Sequence, residues 1–174
     1  VIIDPAADVQ NYEQILQAHN AVLTTLLCTH GPFDHVGSAE DLRRKYHAVL
    51  YCEADDLAGD KMYPLSEADH GYAEGQPVTV DELQFTAWHT PGHTPGGVVI
   101  ACGDRLFSGD TLFAGSCGRV DFPGSDWGQM CASLRRLDAL EGDYTVYPGH
   151  EWSTTLSRER AGNPYIRSAR QLGN

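Results

Sequence analysis

The sequence predicts an α/β chain in which mixed β-sheets are flanked by helices, and two patterns predict it. Up to residue 59, strand-sized apolar runs alternate with segments of helical spacing; from Val78 onward strand follows strand until helices return after Asp126. With 174 residues the chain is long enough for one domain with a substantial core and short for two ordinary ones, so 1–174 is read as a single domain.

Each element has a local reason. Val1 to Asp4 is an apolar strand. The stretch from Asp8 sets Val9, Tyr12, Ile15 and Leu16 at helical spacing, with Asp8 as the expected N-cap. Ala21 to Cys28 reads as a second strand that runs into the polar loop Thr29 to Gly37, the kind of strand end where α/β proteins place chemistry. Ser38 to His47 reads as a helix capped by Ser38 with Leu42 and Tyr46 on one face, followed by a strand, Ala48 to Cys52, and a helical turn, Glu53 to Gly59. Residues 60–75 show no period and are expected to form a mobile loop. Beyond them Glu82 to His89 alternates, Gly97 to Cys102 is continuously apolar, and Gly103-Asp104 supplies a hairpin turn before Arg105 to Ser108. Asp126 to Leu140 carries Trp127, Met130, Leu134, Leu137 and Leu140 on one stripe, Tyr144 to Tyr147 is a strand, and a last helix starts near Ser153.

Composition narrows the function. Twelve Lys and Arg against 24 Asp and Glu give a formal charge of −12, which repels a phosphate backbone and excludes nucleic acid as a partner. No apolar run approaches the roughly 18–20 residues that span a bilayer, so no membrane partner is expected. The five cysteines are odd in number and never spaced as CxxC. That argues against a disulfide framework and a cysteine zinc site, and suits a reducing, cytoplasmic setting. The chain opens inside a strand without an initiator Met, so an N-terminal piece is expected to be missing.

The residues that can carry chemistry gather at predicted strand ends: His30, Asp34 and His35 in Thr29 to His35, His93 in His89 to Thr94, Asp110 in Ser108 to Thr111, and His150 in Pro148 to His150. A lone histidine is far more often a surface or satisfied core residue than a ligand, and His19, His47 and His70 are read that way. Four strand-ending loops that each expose an imidazole or carboxylate reverse those odds. Imidazole and carboxylate together suit zinc, iron or manganese better than calcium or magnesium.

These motifs, together with Ile3-Asp4-Pro5, Gly118-Arg119-Val120-Asp121 and the closing Glu159-Arg160 to Asn163-Pro164, resemble the metallo-β-lactamase-fold hydrolases, and within them the small glyoxalase II-like (hydroxyacylglutathione hydrolase-like) proteins. The resemblance implies an αββα sandwich, lacking its first N-terminal strands here, with a metal site at one edge of two sheets. It implies one metal on His30 and His93, another on Asp34, His35 and His150, and Asp110 bridging both. The family pattern HxHxDH departs at Pro32, which offers no ligand atom. The first site is therefore one donor short. The second keeps four protein donors, the number of a closed zinc site, and is expected to bind first.

The implied activity is attack of a metal-activated water on a small, anionic acyl thioester, one or two Zn2+ ions serving as cofactor and Asp34 orienting the water and taking its proton. Pro32 is expected to reduce that activity. The family also contains iron-dependent persulfide dioxygenases, whose Fe2+ would take His30, His93 and Asp110 as a 2-His-1-carboxylate set. A catalytically silent metal-binding member is the third reading. Elsewhere, Arg119 is read as a structural partner of Asp121, Cys117 as an inert buried thiol, and Trp88 and Trp127 as core residues. Arg158, Arg160, Arg167 and Arg170 are read as helix-end and surface charges ahead of contacts to an anionic substrate.

Overall fold

The computed structural model describes residues 1–172, which divide into two compact units, Val1–Tyr72 and the chain from Ala73 onward. The first unit is built on three parallel strands, β1 (Ile2–Ile3), β2 (Thr25–Leu27) and β3 (Val49–Tyr51), in the order β1-β2-β3. Ile3 stands opposite Leu27, and Leu27 opposite Tyr51. Parallel neighbours need crossovers, supplied by α1 (Val9–Ala18) and α3 (Ala39–Tyr46), with the single turn α2 (Phe33–Val36) between β2 and α3. The strand expected from Ala21 is shorter, because Ala21, Val22 and Thr24 face solvent and only β2 is continuously buried. Val9, Tyr12 and Leu16 pack against the core while Ile15 is exposed, so the apolar stripe of α1 is narrower than its spacing suggested.

Two expected caps are not made. Neither Asp8 nor Ser38 gives a side-chain cap hydrogen bond. The Ser38 hydroxyl donates to the Ala7 carbonyl at 2.5 Å, while the Ser38 amide donates to Pro5, so a tertiary contact has displaced the local one. Residues 60–72 form no helix or strand, yet they are tied down. The Asp60 carboxylate accepts the Met62 and Tyr63 amides at 2.8 Å, Leu65 and Tyr72 are buried, and Asp69 accepts from the Leu50 amide and from Arg43.

The second unit begins with β4 (Pro77–Val80), β5 (Leu83–His89), β6 (Val98–Cys102) and β7 (Arg105–Gly109), then the small hairpin β8 (Leu112–Phe113) and β9 (Ser116–Cys117). After α4 (Trp127–Asp138) come β10 (Thr145–Pro148) and β11 (Thr154–Thr155). The main sheet has the order β11-β10-β7-β6-β5-β4 and is antiparallel except where β10 joins β7. It is thus mixed, and β5, β7 and β10 all run in one direction. Met130, Leu134 and Leu137 of α4 are buried with Val99, Leu106 and Val146, and Trp88 and Trp127 are half-buried against the same core. Here a side-chain cap is present: the Asp126 carboxylate accepts the Gln129 amide at 2.7 Å.

The final helix starts later than expected and is two helices, α5 (Leu156–Gly162) and α6 (Pro164–Gln171). Pro164 cannot continue α5 but suits the first position of α6, where the Asn163 side chain accepts the Tyr165 amide at 2.9 Å. Two of the terminal arginines have structural partners. Arg160 donates to the carbonyls of Asp138, Leu140 and Gly142, where α4 ends, and Arg170 forms a two-pronged pair with Asp138 at 2.6 and 2.7 Å. Among the described residues no helix is long and apolar enough to cross a membrane.

Candidate functional site

In the first unit, the parallel alignment of β1 and β2 sets their C-terminal ends side by side, with Asp4 next to Thr29. The Asp4 carboxylate accepts the Thr29 amide at 2.7 Å through Oδ1 and the Thr29 hydroxyl at 2.6 Å through Oδ2. The same Oδ2 lies 3.1 Å from Nδ1 of His35, and Oγ1 of Thr29 lies 2.9 Å from Nδ1 of His30. These contacts determine the tautomers. A carboxylate only accepts, so Nδ1 of His35 carries the proton. The Thr29 hydroxyl directs its hydrogen to Asp4, so its oxygen accepts from Nδ1–H of His30. Both rings are left with Nε2 as the basic, ligand-type nitrogen. The ring centroids are 4.0 Å apart, and Asp4, His30 and His35 each offer an atom within 4.8 Å of the others.

Asp34 and His35 are consecutive on α2, the first exposed and the second buried. Pro32 occupies the N-cap position of that turn at φ −61° and ψ 149°, ordinary values for proline, and its carbonyl accepts the His35 and Val36 amides. The departure from the family pattern is a missing donor on a regular backbone.

In the second unit, three expected ligands lie together because β5, β7 and β10 share a direction. His93 follows β5, Asp110 follows β7 and His150 follows β10. Oδ2 of Asp110 lies 3.5 Å from Nε2 of His93 and 3.5 Å from Nε2 of His150. Nδ1–H of His93 donates to the Arg119 carbonyl at 2.8 Å, which directs the Nε2 lone pair to the Asp110 side. Asp110 is 9% exposed while the His150 side chain is 47% exposed, so the group opens to solvent at His150. The Asp110 turn is held by a hydroxyl pair, Thr90 and Thr111 at 3.0 Å, and by Gly118, where a Cβ would stand 1.9 Å from the Asp110 carbonyl oxygen. The hairpin that follows is fixed by Glu159, a buried carboxylate that accepts from the Gly115 amide, the Thr154 hydroxyl and the Asn163 amide group at 2.7, 2.7 and 2.8 Å.

Neighbouring groups behave as read. Arg119 is paired twice with Asp121 at 2.6 Å and lies 4.3 Å over the Phe122 ring, so its charge is already engaged. Burial pushes the Cys117 thiol up to about 12, which leaves negligible thiolate at neutral pH.

Sequence reasoning missed Asp4, Thr29 and Glu159 as functional supports. Asp4 carried a signal: an aspartate that closes a strand next to the loop-bearing one, in the left-handed region at φ 48°, a conformation Asp tolerates. The donors present, imidazoles whose Nε2 keeps its lone pair and aspartate carboxylates, fit a divalent transition ion.

Comparison with known proteins agrees with this chemistry. Residues 1–150 match the metallo-beta-lactamase superfamily. The hydroxyacylglutathione hydrolase GloC of Haemophilus influenzae is 31% identical over 96% of this chain and 87% of its own length. Longer hydroxyacylglutathione hydrolases, such as that of Alkalilimnicola ehrlichii at 37% identity, match too, and there the chain spans only 56% of the relative's length. Among solved structures, ETHE1 from Myxococcus xanthus superposes with a TM-score of 0.84 at 29% identity, covering 99% of this chain and 80% of that one. TTHA1623 in a di-iron-bound form gives 0.82 at 33% identity, covering 94% and 88%. The fold is that of these proteins, with mixed sheets flanked by helices.

Proposed function

The chain belongs to the metallo-beta-lactamase superfamily, and from that premise we propose that it is a metal-dependent hydrolase of a small, anionic acyl thioester of the hydroxyacylglutathione kind. The observation that supports this most is one carboxylate oxygen of Asp110 at 3.5 Å from two imidazole nitrogens that the family pattern gives to different metals. In this reading His30, His93 and Asp110 hold one ion, and Asp34, His35, His150 and Asp110 hold the other. The ligand types and the kinship to a hydroxyacylglutathione hydrolase support it.

When bound, a divalent ion supplies Lewis acidity, lowering the pKa of a coordinated water from 15.7 to about 7. The protein supplies the rest. Thr29 and Asp4 hold His30 and His35 through Nδ1, which leaves Nε2 as the lone-pair nitrogen, and the Arg119 carbonyl does the same for His93. Asp34, exposed on α2, orients the attacking water and takes its proton. Because Pro32 replaces a ligand, the first set has three protein donors and the second four, so the second binds its ion more tightly.

A second reading is supported by the di-iron form of TTHA1623: Fe2+ on His30, His93 and Asp110, acting on a persulfide with dioxygen. One experiment tests both. Metal content of protein prepared without added ions is measured together with lactoylglutathione thioester hydrolysis and oxygen uptake on glutathione persulfide, in wild type and Pro32→His. The hydrolase reading expects zinc, slow thioester turnover, and a gain in both bound metal and turnover in Pro32→His. Iron with oxygen uptake favours the dioxygenase. Tightly held metal with neither activity in either form refutes both and leaves a silent metal-binding member.

A further inference from the structure

Asp56 is 1% exposed, a carboxylate buried where neither proposed ligand set uses it. It closes a short 3-10 turn, Ala54–Asp56, that follows β3. Its Oδ2 accepts the amide of Gly31 at 3.0 Å across 25 residues of sequence. Gly31 lies between His30 and Pro32. The approach extends to the backbone, since a Cβ on Gly31 would stand 2.2 Å from the Asp56 carbonyl oxygen and 2.8 Å from its Cβ. The turn is pressed directly onto the ligand loop.

An amide inventory says why this contact matters. The Thr29 amide donates to Asp4, and the Phe33 amide donates to the Met62 carbonyl at 2.8 Å. Between His30 and Phe33, Pro32 has no N–H, so Gly31 carries the only backbone donor that can fix that stretch. The Gly31 amide is itself buried, and without the Asp56 oxygen it would lose the acceptor that offsets its burial.

We propose that Asp56 is a positioning residue: by fixing the Gly31 peptide it sets the direction in which His30, and the α2 turn with Asp34 and His35, present their donors before any ion arrives. The inference rests on the metal-hydrolase reading for what those donors hold, but the loop geometry it describes exists without the ion.

The test uses zinc as probe, with affinity measured by competition against a chromophoric chelator, and Gly31 amide exchange measured in zinc-free protein. Asp56→Ala is expected to weaken zinc about 10- to 100-fold, the range for removing a group that orients a ligand, and to speed Gly31 exchange. Asp56→Asn keeps an acceptor oxygen and is expected to stay within about threefold of wild type. Gly31→Ala keeps the carboxylate but displaces the loop, and is expected to lose zinc affinity as Asp56→Ala does. A folded Asp56→Ala with wild-type zinc affinity and wild-type Gly31 exchange overturns the proposal. If Asp56→Ala does not fold, Gly31→Ala decides, and unchanged affinity there overturns it equally. Failure of wild type to take up zinc sinks the hydrolase reading, while Gly31 exchange still tests the positioning.

Discussion

Replacing Asp4 separates the support of the site from the site itself. The carboxylate accepts three hydrogen bonds, from the Thr29 amide at 2.7 Å, the Thr29 hydroxyl at 2.6 Å and Nδ1–H of His35 at 3.1 Å. Thr29 and His35 are buried, so Asp4→Ala strands an amide and an imidazole N–H away from water, while the hydroxyl can rotate. At ~1–3 kcal/mol per stranded donor the loss is about 2–6 kcal/mol. Alanine at φ 48° adds about 1 kcal/mol that aspartate does not incur. For a chain of this size each kcal/mol lowers Tm by ~2–4 °C, so metal-free Asp4→Ala should melt at least about 6 °C below wild type. Asp4→Asn tolerates the same backbone and keeps an oxygen for the Thr29 amide, but turns an NH2 toward two donors; it should lose about half as much stability. Thermal unfolding in excess chelator, followed by circular dichroism, reads both. Zinc affinity, measured separately, should fall ~10- to 100-fold in each variant. An unchanged melting point together with unchanged zinc affinity refutes the assigned hydrogen-bond chain and the tautomers deduced from it.

Other outcomes follow from the same structure. Glu159→Ala strands the Gly115 amide and two side-chain donors, and should cost about 3 kcal/mol or more in urea unfolding; a cost under about 0.5 kcal/mol contradicts its role in holding the hairpin after Asp110. Arg160→Lys should not rescue Arg160→Ala, because an ammonium cannot reach three separate carbonyls at the end of α4; equal stability of Arg160→Lys and wild type in thermal melts contradicts this. The hydrogen bond from Arg170 holds the Asp138 carboxyl below its ordinary 3.8, so the pair stabilises the fold above that value and the contribution is lost as pH falls through the lowered one. Asp138→Asn should therefore show a shallower loss of stability below about pH 4 than wild type in acid titrations followed by fluorescence. Cys117, with its thiol pushed up to about 12, should resist alkylation by iodoacetamide in the native state near neutral pH, and mass spectrometry finding it labelled would overturn that.

The sequence was most legible where a pattern repeated. The stripe of α4 and the alternation of β5 reported their own burial, and the ligand candidates His93, Asp110 and His150 fell together because each followed a strand of one direction. Caps were less legible: Asp126, which opens the expected helix, does cap α4, but Ser38 gives its hydroxyl to Ala7, a partner 31 residues away that no local rule could find. The split of α5 from α6 follows from Asn163-Pro164, a cap followed by a residue that cannot continue the preceding helix. Asp4, Asp56 and Glu159 were the hardest, because each accepts from donors that only tertiary contact brings to it and none has the spacing of a ligand.

Pro32 draws these threads together. A residue lost from a metal site often disturbs the loop that carried it, but position 32 has the dihedrals proline prefers, and its carbonyl still receives two amides of α2. The neighbours that orient His30 and His35, namely Asp4, Thr29 and Asp56, do not depend on the side chain at 32. Proline therefore subtracts a donor and leaves the scaffold standing. Pro32 is buried, so Pro32→His exchanges one packed ring for another on a backbone that the α2 amides already fix; it should fold, with a metal-free melting point within about 5 °C of wild type. Any gain in bound metal then reports the added imidazole alone. A variant that gained metal only while its metal-free melting point shifted by many degrees would show that the loop had been rebuilt, and the donor count would no longer explain the difference.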